Sequence, residues 1–239
     1  MSILQISGLN VSIGQYAVLH DMSFEVDEGG VFVLLGRNGA GKTTTLRAIM
    51  GLWERPAGSI RFRGEDISGL HTSEIAQRGI AYVPENMGIF GGLTVCENMV
   101  LATKTGKFDA DRLDRVYTLF PALKQFWGKQ AWSLSGGQKQ MLAVARAIIE
   151  PRALILIDEP TKGLAPSIIA AMADAFRTIG ETTTILLVEQ NLAFATALGS
   201  GMAVVDDGRV AHTGLMAEFA ADTALQNRLL SLSTAEETA

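Results

Sequence analysis

Three stretches of this chain carry residue types and spacings suited to phosphate chemistry. Gly36-Arg37-Asn38-Gly39-Ala40-Gly41-Lys42-Thr43 is a full match to the phosphate-binding loop pattern, a glycine, four intervening residues and then Gly-Lys-Thr. Glycines at 36, 39 and 41 let backbone N–H groups approach phosphate oxygens, and a helix opening at the loop's end adds partial positive charge. Lys42 then neutralises the β- and γ-phosphates of a nucleoside triphosphate, while the Thr43 hydroxyl ligates Mg²⁺. Asn38, Ala40 and Thr44 complete the expected nucleotide contacts of this loop.

The second stretch is Leu154-Ile155-Leu156-Ile157-Asp158-Glu159, an apolar run that ends in two acids. A buried strand delivers Asp158 to its carboxyl end, where α/β sheets bind ligands, to hold Mg²⁺ directly or through water. Glu159 is the candidate general base for an attacking water. The third is Leu134-Ser135-Gly136-Gly137-Gln138, in which two glycines open a helix and present N–H groups to an anion.

Positioning these groups requires strands that end where the motifs begin. Val31–Leu35 is continuously apolar, as in a strand buried on both faces, and it runs into the glycine loop and a helix from Lys42 to Met50, stopped by Gly51. Ile80–Pro84, Ala153–Ile157, Thr184–Val188 and Met202–Val205 read as further core strands alternating with helices, which predicts an α/β fold around a mixed sheet. Leu4–Ile6 and Ser23–Val26 alternate in polarity and read as antiparallel strands of an N-terminal β-subdomain. Residues 87–133 change character: Leu113, Val116, Tyr117 and Phe120 recur at helical spacing, with a break at Pro121. They read as a helical subdomain inserted into a catalytic core made of 1–86 and 134–239. From Gln138 to Ile149, Met141, Val144, Ala145 and Ile148 share one helical face. Asp206-Asp207-Gly208 reads as a tight turn, and Ser233–Ala239 as a frayed polar tail.

Composition narrows the function classes. The net charge of −5 argues against a nucleic-acid-coating surface, and 48% hydrophobic residues argue against a disordered chain. No apolar run reaches the length of a membrane span, and the start lacks the layout of a signal peptide. The single cysteine, Cys96, rules out an intrachain disulfide and reads as a small buried apolar residue. His20, His71 and His212 read as surface residues.

A phosphate loop, then LSGGQ, then an apolar strand closed by Asp-Glu resembles the ATP-binding cassette (ABC) family of ATPases, over nearly the whole chain. The resemblance implies ATP with Mg²⁺ as cofactors. It also implies a head-to-tail dimer in which Ser135, Gly136, Gly137 and Gln138 of one subunit close over ATP held by another. Tyr16, twenty residues before Gly36, matches the family's adenine-stacking aromatic. Glu85 stands where a Gln is commoner and joins the candidate catalytic and Mg²⁺ residues, and Gln190 stands where the family offers a His to the γ-phosphate. Lys162 occupies a position where Ser is more usual.

Pro84-Glu85, Lys162-Gly163-Leu164-Ala165-Pro166 and Leu187-Val188-Glu189-Gln190-Asn191 look most like the ATPase subunits of importers for branched-chain amino acids, or for urea and short amides. By that likeness the partners are a second cassette, identical or sister, and membrane permease subunits whose short helix enters a groove beside the Glu85 loop. An extracytoplasmic solute-binding protein is an indirect partner, and no nucleic acid is expected. The chain is then expected to sit peripherally on the cytoplasmic face of the cell membrane. A soluble ABC ATPase acting outside transport and a lipid-exporter ATPase subunit are the alternatives.

Overall fold

The computed structural model describes residues 1–53 and 57–230. The expected frayed tail, Ser233–Ala239, lies outside the described residues.

The strands are β1 (Ser2–Ile13), β2 (Tyr16–Asp27), β3 (Val31–Leu35), β4 (Ala57–Phe62), β5 (Glu65–Asp66), β6 (Ile80–Val83), β7 (Leu154–Asp158), β8 (Thr184–Glu189), β9 (Gly201–Asp206) and β10 (Arg209–Leu215). They form an antiparallel sheet in the order β2-β1-β4-β5 and a mixed sheet in the order β10-β9-β3-β8-β7-β6. In the mixed sheet β9, β3, β8, β7 and β6 are parallel, and only β10 runs against its neighbour. Every residue of β7 and of β8 is buried, as the unbroken apolar runs predict for strands covered on both faces. β1 and β2 run for 12 residues each, well beyond the short alternating stretches near the start of β1 and the end of β2, and register shifts interrupt their pairing.

The helices are α1 (Lys42–Ile49), α2 (Thr72–Gln77), α3 (Val95–Val100), α4 (Ala110–Leu119), α5 (Pro121–Gln125), α6 (Gly136–Ile148), α7 (Pro166–Gly180), α8 (Leu192–Leu198), α9 (Met216–Ala221) and α10 (Thr223–Leu230). Successive strand residues point to opposite faces, and the core divides accordingly. Ile155, Ile157, Ile185 and Leu187 join a cluster with α6, α7 and α8, whereas Leu154, Leu156, Leu186 and Val188 join one with α1 and the antiparallel sheet. The mixed sheet is therefore the middle of three layers.

The 87–133 segment holds α3, α4 and α5. Its apolar side chains Val95, Met99, Val116, Phe120 and Leu123 are buried in the same cluster as Leu142 of α6. Within α4 only Val116 is fully buried, while Leu113 and Tyr117 are half-buried. Pro121 starts α5 at a position that tolerates the missing N–H, so the break there is also a helix start. Cys96 is half-buried rather than buried. His71 is exposed as expected, but His20 and His212 are half-buried, because β2 and β10 lie against each other. Asp207 and Gly208 both take positive φ (42° and 72°), which makes the β9–β10 turn the two-residue kind that suits hairpin twist.

Phe176 of α7 is fully buried and meets Phe194 edge-on at 6.0 Å. Phe176→Ala is expected to destabilise the fold by about 3–5 kcal/mol. Leu215→Ala, at a side chain 58% exposed, should change stability by less than about 0.5 kcal/mol. Urea unfolding of the two variants beside the parent checks both figures.

Candidate active site

β3 ends at Leu35, and the chain must turn there without a side chain. A Cβ on Gly36 would stand 2.3 Å from the Val205 carbonyl oxygen, so only glycine fits. Gly41 caps α1 at φ 105°, and a Cβ there would meet Leu19 Cδ2 at 2.6 Å. The loop is thereby drawn tight against β9 and β2, and α1 opens directly on Lys42. The Lys42 side chain is 3% exposed; its Nζ donates to the carbonyls of Gly36 (2.8 Å) and Arg37 (2.9 Å) and lies 3.8 Å from Glu159 Oε1. Burial pulls its pKa below the ordinary lysine value, and the charges of Glu159 and Asp158 pull it back up.

Asp158 closes β7 and is almost wholly buried. Thr43 Oγ1 donates to its Oδ1 at 3.0 Å, and Tyr82 Oη to its Oδ2 at 3.2 Å. Burial pushes the Asp158 carboxyl above its usual range, and the hydrogen bonds from Thr43 and Tyr82 oppose that shift only in part. The Thr43 hydroxyl and the Asp158 carboxylate converge as hard oxygen donors. Among the described residues no group of three or more His, Cys, Asp or Glu could cage a metal ion. One carboxylate and one hydroxyl, with further oxygens left to phosphate and water, is a donor set that fits Mg²⁺.

Glu159 adopts a left-handed conformation (φ 45°), rare for a residue with a side chain, and its N–H is fastened to the Val188 carbonyl at 2.9 Å. The twist turns its carboxylate into the cleft beside Asp158. Gln190 Nε2 donates to Glu159 Oε1 at 2.5 Å and also to Asn38 Oδ1, tying the end of β8 to the glycine loop. Gly39, Gly41, Lys42, Thr43, Thr44, Glu85, Glu159 and Lys162 line one open cleft of about 290 Å³. Tyr16 does not line it. Its ring is 79% exposed at the start of β2, two residues before Val18, which does.

Ser135, Gly136, Gly137 and Gln138 are absent from that lining. Ser135 caps α6: its Oγ accepts from Gln138 N–H (3.3 Å), and Gln138 Oε1 accepts from Ser135 N–H (2.9 Å). The N–H groups of Gly136 and Gly137 have no hydrogen-bond partner among the described residues. Gly137 also meets a packing demand, because a Cβ there would lie 2.8 Å from Ile168 Cγ2. Its N–H and its lack of a side chain are thus set by two separate constraints.

Two groups went unassigned on the sequence. Tyr82 stands on β6 beside Leu156 of β7, so strand register carries its hydroxyl to Asp158. Glu189 is 2% exposed and fully paired. Its Oε1 accepts from Thr161 N–H (3.2 Å) and Oγ1 (2.8 Å), and its Oε2 from the N–H groups of Gln190 and Asn191 (3.0 Å each). Burial raises its pKa against those bonds. One carboxylate therefore joins the loop after β7 to the loop after β8. An acid that closes an otherwise apolar strand was the available signal.

The ABC transporter family pattern matches residues 19–162. The chain belongs to the ABC transporter family. This cassette is 40% identical over 204 residues to the high-affinity branched-chain amino acid transport ATP-binding protein BraG of Pseudomonas aeruginosa, covering 82% of this chain and 86% of that protein. It is 33% identical to a probable branched-chain amino acid transport ATP-binding protein, LivF, of Archaeoglobus fulgidus, covering 88% of this chain and 91% of that protein. A solved ATP-binding subunit of an ABC transporter superposes with a TM-score of 0.80 at 29% identity, covering 94% of each chain.

The raised Asp158 pKa has a sign that can be checked on the nucleotide-free cassette. Between its ordinary value of 3.8 and its raised value the folded state holds the proton more tightly than the unfolded state, so ionisation above that window costs stability. Asp158→Asn removes that cost, and its amide can still pair with Thr43 and Tyr82. Its thermal midpoint at pH 7.5 should exceed the parent's, by about 2–4 °C for each kcal/mol relieved. The gap should narrow as pH falls through the window, and calorimetric scans from pH 7.5 down to pH 4 measure it.

Proposed function

We propose that this cassette hydrolyses MgATP to drive a membrane importer for branched-chain amino acids or for related small amides such as urea. The observation that carries the reading is that Lys42, Thr43 and Glu159 line one cleft, with Asp158 bonded to Thr43 and Gln190 bonded to Glu159, together with the 40% identity to a branched-chain amino acid transport ATP-binding protein. Gly39 and Gly41 give backbone N–H groups access to the phosphates, and Lys42 moves from the loop carbonyls onto the β- and γ-oxygens. Thr43 and Asp158 would hold Mg²⁺, which when bound would supply charge neutralisation on the phosphates. Glu159 accepts the proton of the attacking water, and Gln190, already bonded to it, aims that carboxylate and reaches the γ-phosphate as an amide donor.

A second cassette completes the site. Gly136 and Gly137 carry N–H groups with no partner among the described residues and stand away from their own cleft, so they suit the γ-phosphate of a neighbour's nucleotide. Tyr16, exposed near the cleft, stacks on adenine. Phe90 and Trp132, 49% and 64% exposed on either side of Gly91, support a permease contact beside the Glu85 loop. No described helix is long and apolar enough to cross a membrane, and attachment to the cytoplasmic face then falls to the permease.

Phosphate release tests both halves of this reading. Glu159→Gln should lower turnover by ~10²–10⁴-fold while nucleotide still binds. Ser135→Arg should lower it as well, by blocking the dimer seam. If the dimer is homomeric, mixing the two inactive variants should recover a measurable fraction of activity, because each mixed dimer has one intact composite site. Tyr16→Ala should raise the KM for ATP by about tenfold.

A further inference from the structure

Lys162 is the second cation of the nucleotide cleft, and the roles above leave it unused. Its Nζ lies 2.6 Å from Glu85 Oε1 and 3.9 Å from Glu159 Oε2. The side chains of Lys162 and Glu85 are 62% and 42% exposed, so the bond between them adds little to fold stability. Its place matters more than its strength. Glu85 and Glu159 line the cleft where a highly charged triphosphate must fit, with the Asp158 carboxylate close enough to feel both charges, and among the described residues the lysines of its lining are Lys42 and Lys162. Lys42 is buried on the loop carbonyls, so the charge of Glu85 falls to Lys162. Glu85 in turn holds the Lys162 ammonium above its ordinary pKa, so it stays charged throughout the physiological range.

We propose that Lys162 is a positioning residue for nucleotide binding: paired with Glu85, it cancels a carboxylate charge beside the terminal phosphate and ties the loop after β6 to the loop bearing Glu159. The pair acts as one unit, and each partner makes the other tolerable. Lys162 alone would be a mobile surface cation, and Glu85 alone would repel the anion. This inference rests on the cleft being the MgATP site, but on neither turnover nor dimerisation.

The test is a double-substitution cycle read as the Kd of a non-hydrolysable ATP analogue with Mg²⁺. Lys162→Ser is expected to weaken binding about three- to tenfold, and adding Glu85→Gln to that chain should recover most of the loss. Lys162→Arg, which keeps the charge, should bind within about twofold of the parent. The Lys162→Ser loss should shrink between 50 mM and 500 mM salt, since the unpaired carboxylate acts through a screened charge. A merely structural role would leave that salt dependence flat and would lower the thermal midpoint. Additive effects of the two substitutions, or a loss that salt does not relieve, would overturn the proposal. The Glu159→Gln chain separates the readings: normal turnover there sinks the general-base assignment, and the Kd cycle still judges the Lys162–Glu85 pair.

Discussion

Parallel register across β3, β8 and β7 is the constraint from which the active cleft follows. Leu35 pairs with Glu189 and Asp158 with Val188, so these strands end level with one another. The glycine loop leaves β3, Asp158 and Glu159 leave β7, and Gln190 leaves β8 along one edge of the sheet. Tyr82 and Glu85 arrive beside them from β6. Burial of both sheet faces makes a slip by one residue costly, because it would turn every core side chain to the opposite layer. Residues more than a hundred positions apart, such as Thr43 and Asp158, are held within 3.0 Å by that register.

The same edge concentrates negative charge. Asp158 and Glu189 are buried carboxylates, and Glu159 is nearly so. Each is tolerated for a different reason. Glu189 is saturated by four donors, Asp158 by two hydroxyls, and Glu159 by Gln190 with Lys42 nearby. A cleft assembled this way is unfavourable to an anion until cations arrive. The buried carboxylates also make the empty cassette less stable than its packing alone allows.

The LSGGQ segment obeys a different logic. Its cap is closed internally by Ser135 and Gln138, which makes a rigid helix start, while the two glycine N–H groups remain without partners. Capping satisfies the helix start, and of the two glycines Gly136 is exposed while Gly137 is buried against Ile168.

The layer architecture, the strand ends and the members of the glycine loop were legible in the sequence, because apolar periodicity and glycine spacing are local properties. Asp158 and Glu159 were legible as the end of an unbroken apolar run. The inserted helices were legible in outline through Val116 and Phe120, although α3 gave no periodic signal over its six residues. Pairings between distant loops were not legible: Tyr82 with Asp158, Glu189 with Thr161, and Lys162 with Glu85. Each joins side chains brought together only by sheet order, which local patterning does not encode. Local chemistry thus singled out the candidate residues for binding phosphate and activating water. Only the tertiary fold decided which charges would face each other, because Coulomb energy depends on separation in space and not along the chain.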